Sequence, residues 1–283
     1  MTAPDVAVIG GGIVGAATAA LLAGSGARVR LYEREALAAG ASGRNSGVVQ
    51  RPFDAALVPL YEETIALYRD LAAEVEGGAR LPDAPAGLLL VSHHAPLVRR
   101  LADELNAGTP GLGAEALEGP ALRSLEPALA PEVVACRVPI GFPVPPGAGT
   151  YAFATLAERR GALIRLGRAA VPLVEGGRAV GVVVEGRVEP AGAVVVATGP
   201  WTPALVDPTG RWRPIRPLWG VVVETELAGP PGHVLEEAEM DAALGTGDLA
   251  AEAGGEADDP GTTPEFSLVT AGAQSARRRG ALT

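Results

Sequence analysis

Lysine is missing from this chain: all 23 basic residues among its 283 are arginine. No side chain can therefore form a Schiff base or serve as the lysine of a phosphate-binding P-loop. Cysteine occurs once, at Cys136. That excludes an internal disulfide, a thiolate zinc cluster and a CxxC redox pair, and it fits a reducing cytoplasm. Aromatic residues make up only 4% of the sequence, so its cores must be built from Ala, Val and Leu. The three histidines, His93, His94 and His233, are too scattered to suggest a metal site. Basic residues are outnumbered by 33 acidic ones, for a net charge of −10, which argues against a general binder of nucleic acid or of anionic membranes. Long apolar runs are also scarce. Residues 6–27 are uncharged and long enough to span a bilayer. Six glycines interrupt that run and no Lys or Arg precedes it, whereas a signal peptide needs a positive start and a leucine-rich middle.

What remains is a globular composition, 48% hydrophobic and 20% charged. At this length roughly three quarters of the unfolded surface can be buried, enough for one large or two ordinary domains without covalent staples. Residues 5–9 read as a buried strand, 13–24 as an Ala-rich helix and 28–32 as a second strand. Strand, glycine turn, helix and strand form a βαβ unit, which implies a parallel sheet. Residues 53–75 read as a helix with Leu57, Leu60, Thr64, Leu67 and Leu71 on one face. Further strands are expected at 87–92, 133–138, 164–168, 173–175, 179–185, 193–197 and 220–226, with helices at 96–105 and 150–161. Gly176-Gly177 is a hairpin signal, and Pro143, Pro145, Pro146 and Gly147 look like a hinge. Residues 110–131 read as loops and short helices. Between positions 217 and 276 there are twelve acidic residues and no basic one. Such a stretch suits a mobile surface loop, or an acidic lid over a cationic substrate.

Chemistry concentrates at Gly10, Gly12 and Gly15, a G-x-G-x-x-G between strand and helix. The first glycine permits the tight turn, the second lets backbone approach a pyrophosphate, and the third lets helix and strand pack closely. The helix N-terminus offers N–H groups and partial positive charge to a diphosphate, worth about 0.3–2 kcal/mol. Glu33 ends the second strand, 23 residues after Gly10. Its carboxylate would accept from ribose hydroxyls and repel a 2′-phosphate. These features indicate an adenine dinucleotide without choosing NAD over FAD. A small, polar, flexible segment follows at residues 40–49, suited to wrapping backbone donors round a diphosphate and a flavin ring.

Here the sequence resembles the FAD-dependent D-amino-acid oxidase (DAO) family, which includes glycine oxidase, sarcosine oxidase and D-amino-acid dehydrogenase. The resembling blocks are residues 8–15, Glu33-Arg34, residues 40–49, 161–165 through Val171, and 193–201. The resemblance implies an α/β fold: an FAD-type doubly wound domain at 1–75 and 148–205, interleaved with a smaller α+β substrate domain at 76–147 and 206–270, then an unstructured tail at 271–283. By position, Ile13 and Val14 would present backbone to the diphosphate, and Glu33 and Arg34 would hold the adenosine ribose. Ala41, Ser42, Ser46, Gly47 and Val48 would line diphosphate and flavin. Val171 would bond adenine through its backbone, and Thr198-Gly199 would pass near the cofactor. Ser42 and Asn45 are equally ordinary turn residues. Arg44 and Arg51 are the basic groups nearest the supposed flavin, available to a substrate carboxylate or to reduced flavin, or simply exposed loop arginines.

The function so implied is oxidation of an amine or amino acid by hydride transfer to flavin N5, giving an imine that water hydrolyses. Dioxygen or another acceptor would then reoxidise the flavin. Alternatives are a 2-hydroxy-acid or glycerol-phosphate dehydrogenase, or a non-catalytic fragment. The catalytic residues are not legible. The family's final segment, which closes the cofactor site, has no counterpart here. The expectation is a truncated or frame-shifted product whose site is incomplete on the flavin side.

Overall fold

The structure is a computed structural model and describes residues 3–77, 79–215, 220, 222, 227, 229–238 and 267–268. The tail expected at 271–283 lies outside the described residues, as do positions 239–266 of the expected acidic stretch and most of the strand expected at 220–226.

In chain order the elements are β1 (Val6–Ile9), α1 (Ile13–Gly24), β2 (Val29–Tyr32), β3 (Val48–Val49), α2 (Val58–Glu74), β4 (Leu88–Ser92), α3 (Ala95–Gly108), β5 (Glu115–Leu117), α4 (Gly119–Leu125), β6 (Val134–Val138) and β7 (Phe142–Pro143). There follow α5 (Ala148–Arg159), β8 (Leu163–Arg165), β9 (Ala170–Glu175), β10 (Arg178–Val184), β11 (Arg187–Pro190), β12 (Ala193–Val196), α6 (Thr202–Val206), β13 (Val234–Glu237) and β14 (Ser267–Leu268). The chain divides into two compact units: Met1–Asn45 with Ala66–Arg80 and Pro145–Glu224, and Ser46–Ile65 with Leu81–Val144 and Thr225–Thr283.

In the first unit the sheet order is β12-β1-β2-β8, and every pairing is parallel. Alternation assigns the two faces of this sheet. Val8, Val29 and Leu31 meet Ala16, Ala19, Ala20 and Ala23 of α1 and Phe153 and Ala157 of α5. The alanines recur at helical spacing, and their small side chains let α1 and α5 lie close together. On the opposite face, Ala7, Ile9 and Tyr32 pack against Ala170, Val182, Val184 and Ala191. Those residues belong to an antiparallel layer ordered β11-β10-β9. Both of its turns place two residues at positive φ: Gly176 and Gly177 at 56° and 75°, Glu185 and Gly186 at 51° and 76°. That is the primed geometry matching strand twist in a two-residue hairpin. The Gly-Gly turn is the expected one. The second turn makes the return strand β11, which the sequence reading does not contain.

Other boundaries also differ. The strand expected at 164–168 stops at Arg165, because Gly167 turns the chain at φ +66°. The helix expected at 53–75 begins at Val58, with Leu57 in the 3₁₀ turn Ala55–Leu57 before it, and the expected apolar face is only partly buried: Leu71 is fully enclosed, while Leu57 and Leu60 are exposed.

The second unit holds a mixed sheet ordered β14-β13-β4-β6-β5. Strand β13 runs parallel to β4, and the remaining pairs are antiparallel. Leu88, Leu90, Cys136, Val138 and Val234 form its core with Val98, Leu101 and Ala102 of α3. Strand β5 lies inside the stretch read as loops and short helices, and β13 is a second strand missing from that reading. Each is short and held by pairing to a strand distant in sequence.

Candidate functional site

The parallel ladder in the first unit runs in register at its carboxyl end: Ile9 opposite Val196 and Tyr32, and Tyr32 opposite Arg165. One residue further lie Gly10, Ala197 and Glu33. The chain leaves β1 for β2 and β8 on one side, while β12 pairs on the other side. The glycine loop therefore sits at the reversal of strand order, where open α/β sheets bind ligands.

Local geometry accounts for each glycine. Gly10 has φ +110°, and a Cβ there would collide with the Ala197 carbonyl. A Cβ on Gly15 would strike the Gly10 carbonyl oxygen, so Gly15 sets how closely α1 approaches the loop. A Cβ on Gly12 would come 3.0 Å from Ser42 Oγ. Gly12 is the N-cap of α1 and supplies no side-chain cap. Two acceptors from elsewhere serve this helix start. Gly11 N donates to Glu33 Oε2 at 2.7 Å, and Ile13 N donates to Ser42 Oγ at 2.9 Å. Val14 is exposed in the first turn, and Ile13 is half-buried.

Glu33 is held firmly. Its second carboxylate oxygen accepts from Glu35 N at 2.8 Å. Its backbone N–H donates to the Arg165 carbonyl at 3.0 Å, and its carbonyl accepts from Arg168 N at 2.8 Å. Arg34 points to Trp201: its guanidinium carbon lies 4.4 Å from the ring centroid, and its Nε lies 3.2 Å from Glu35 Oε1. Gly40 lies under the same indole, where a Cβ would meet the ring at 3.7 Å. Trp201 thus bridges the loops after β2 and β12 and the segment entering residues 41–43.

Ala41, Ser42 and Gly43 form a 3₁₀ turn. Asn45 Nδ2 closes that turn onto the carbonyls of Ala41 and Ser42 at 2.9 and 3.0 Å. Arg44 is exposed beside it. Thr198 Oγ1 lies 3.1 Å from Thr202 Oγ1, and Gly199 turns the chain at φ +57°. Val171 lies in β9 opposite Val183, with its side chain half-exposed. Ser46, Gly47 and Val48 belong to the second unit. There the Gly47 carbonyl accepts from Val144 N at 2.8 Å and Val48 pairs with Pro143. Arg51 NH1 reaches the Pro52 carbonyl at 3.4 Å.

A Cβ-free cradle, donors at a helix start and a carboxylate one residue past the neighbouring strand suit a diphosphate and a ribose of one dinucleotide. Among the described residues, no group of three or more His, Cys, Asp or Glu could hold a metal. No helix there is long and apolar enough to cross a membrane.

Two arrangements escaped the sequence reading. Glu189 of β11 faces inward and gathers Arg30, Tyr32 and Arg165. In the second unit, buried Glu126 accepts from Gly232 N, His233 N and the His233 ring at 2.7, 2.9 and 2.6 Å. The latter partners are 107 residues apart, and no local pattern marks them.

Residues 5–264 match the family model described as DAO, FAD dependent oxidoreductase. Glycine oxidase from Bacillus cereus ATCC 14579 superposes with a TM-score of 0.62 at 27% identity, over 72% of this chain and 58% of that one. L-Amino acid deaminase from Proteus myxofaciens, solved in complex with anthranilate, gives a TM-score of 0.61 at 25% identity, over 73% of this chain and 48% of that one. A carotenoid phi-ring synthase from Streptomyces griseus is 41% identical over 93 residues, which is 29% of this chain and 17% of that protein. The chain thus spans little more than half the length of the oxidase.

Proposed function

Because the chain belongs to the FAD-dependent oxidoreductases of the DAO family, we propose that it takes part in the oxidation of an amine or amino acid with FAD held at the glycine loop. The observation carrying this reading is the alignment of Gly10, Glu33 and Ala197 at the carboxyl edge of the sheet, beneath a loop whose Ser42 caps α1. When bound, FAD would supply a two-electron acceptor for oxidation at the substrate carbon that bears nitrogen.

The chain's own residues bind and orient. Gly12 keeps a side chain away from the diphosphate, while Gly10 and Gly15 let strand, loop and helix approach closely; Val14 presents its backbone to the negative charge, and Ile13 reaches it through Ser42. Ser42 accepts from Ile13 and can donate its own hydrogen to a phosphate oxygen. The Glu33 carboxylate takes the ribose hydroxyls, with Arg34 beside it. Val171 meets adenine through its backbone, and Ala41, Arg44, Asn45, Thr198 and Gly199 line the path toward the flavin. The substrate is a small amine or amino acid, and dioxygen or another acceptor removes the electrons. A cytoplasmic setting suits a single, buried cysteine. The two solved relatives support an amino-acid substrate over a hydroxy acid, since the name of each refers to amino-acid chemistry.

The test is to titrate the purified chain with FAD by flavin fluorescence, then add amines, amino acids and hydroxy acids without oxygen. Saturable binding followed by bleaching with an amine or amino acid is the expected result. Absence of FAD binding would sink the site assignment. Binding without bleaching by any of them would favour the non-catalytic reading.

A further inference from the structure

A charge facing into an apolar layer needs a reason, because its burial is costly unless every partner is in place. The Arg30 side chain is only 9% exposed although it sits in a strand whose other residues are apolar. Its NH1 meets Glu189 Oε2 at 2.5 Å. The Tyr32 hydroxyl donates to that same oxygen at 2.8 Å, and Arg165 NH1 lies 3.5 Å from Glu189 Oε1. Arg30 Nε is buried with no hydrogen-bond partner among the described residues. Burial works against ionisation of Glu189. The hydrogen bonds from Tyr32 and Arg30 and the charges of Arg165 and Arg30 outweigh it and hold the carboxyl below its ordinary range.

One carboxylate on β11 therefore ties together two neighbouring strands, β2 through Arg30 and Tyr32 and β8 through Arg165. These strands place Glu33. Tyr32 precedes it in the chain, and the Arg165 carbonyl accepts the Glu33 amide hydrogen at 3.0 Å. Resting on the assignment of Glu33 to the adenosine ribose, we propose that Glu189 is a positioning residue that fixes Glu33 for that grip. Its effect reaches the ribose through the two strand ends that frame Glu33, because a hydrogen bond to a ligand depends on how well its donor or acceptor is held beforehand.

The experiment measures affinity of the full chain and of Glu189→Gln for FAD and for the FAD analogue lacking the adenosine 2′-hydroxyl. The expected result is FAD binding weakened about tenfold, the scale of one charged hydrogen bond, with the loss for the analogue much smaller. In a Glu33→Gln background the Glu189→Gln loss should likewise shrink. Tyr32→Phe, which removes one donor to Glu189 while keeping the ring, repeats the comparison should Glu189→Gln not fold. Equal losses for FAD and analogue, or no loss with either variant, would overturn the positioning role, since a general weakening of the fold cannot distinguish the two ligands. Failure of the parent chain to bind FAD would overturn the ribose assignment beneath it.

Discussion

Ser42 Oγ accepts the Ile13 amide hydrogen at 2.9 Å, across 29 residues of sequence. It does for α1 what an N-cap side chain ordinarily does, because Gly12 supplies none. The arrangement makes one hydroxyl serve both helix and ligand. Ser42→Ala should cost about 1 kcal/mol of stability, as loss of a cap does. FAD should bind about tenfold more weakly through loss of a hydrogen bond to charged phosphate. Ser42→Thr keeps the hydroxyl and should retain most of both. Urea unfolding and flavin fluorescence titration measure the two effects separately. A Ser42→Ala chain that binds FAD as well as the parent would remove Ser42 from the site.

Two glycines should respond in opposite directions to the same methyl group. At Gly15 the added Cβ would strike the Gly10 carbonyl, and backbone cannot swing aside as a side chain can. Gly15→Ala should lose about 1–3 kcal/mol or more and bind FAD poorly. Gly108 closes α3 in open space and without positive φ. Gly108→Ala should gain about 0.4–1 kcal/mol by restricting the unfolded chain. Denaturant midpoints of the two variants against the parent decide the matter.

Cys136 is fully enclosed between β4 and β5, and burial pushes its thiol up to about 11. The thiolate is the reactive form. A disulfide reagent such as DTNB should therefore leave the folded chain unlabelled at pH 8 and take one equivalent once it unfolds. Rapid stoichiometric labelling under native conditions would contradict this burial. A thiol raised in the folded state adds stability below its unfolded value, and that stability is lost as pH rises toward 11.

The glycine loop was legible because its requirement is an absence of side chains at fixed spacing, which a sequence records directly. The same holds for the Ala-rich face of α1 and for the Gly176-Gly177 hairpin. Strands β5, β11 and β13 were not legible. They have three or four residues each, and their pairing supplies what their own propensity does not. Glu189 illustrates the limit most sharply. In sequence it is one acid in a polar strand, and only the layer opposite, with Arg30 and Tyr32, gives it a role. The capping by Ser42 is intermediate: its residue type and segment could be read, but its partner could not.

Asp5 and Arg28 join the starting ends of β1 and β2, and their pairing sets a pH response that can be read in advance. Asp5 Oδ1 meets Arg28 NH2 at 2.6 Å, and Oδ2 accepts from Arg28 Nε at 3.1 Å and from the Arg28 amide at 2.9 Å. The Arg28 side-chain hydrogen bonds, then the backbone one, hold the Asp5 carboxyl at about 2, below the ordinary 3.8. A carboxyl depressed on folding contributes its stability fully above the unfolded value and loses it as pH falls from 3.8 through about 2. Both side chains are exposed, so the contribution is small and weakens with salt. Asp5→Asn should therefore lower the urea midpoint at pH 6, and the gap to the parent should close as pH approaches 2. Added salt should narrow the gap at pH 6 as well. A gap that stays constant from pH 6 to pH 2 would mean that the substitution acts through the backbone at the strand start, with the ion pair contributing nothing.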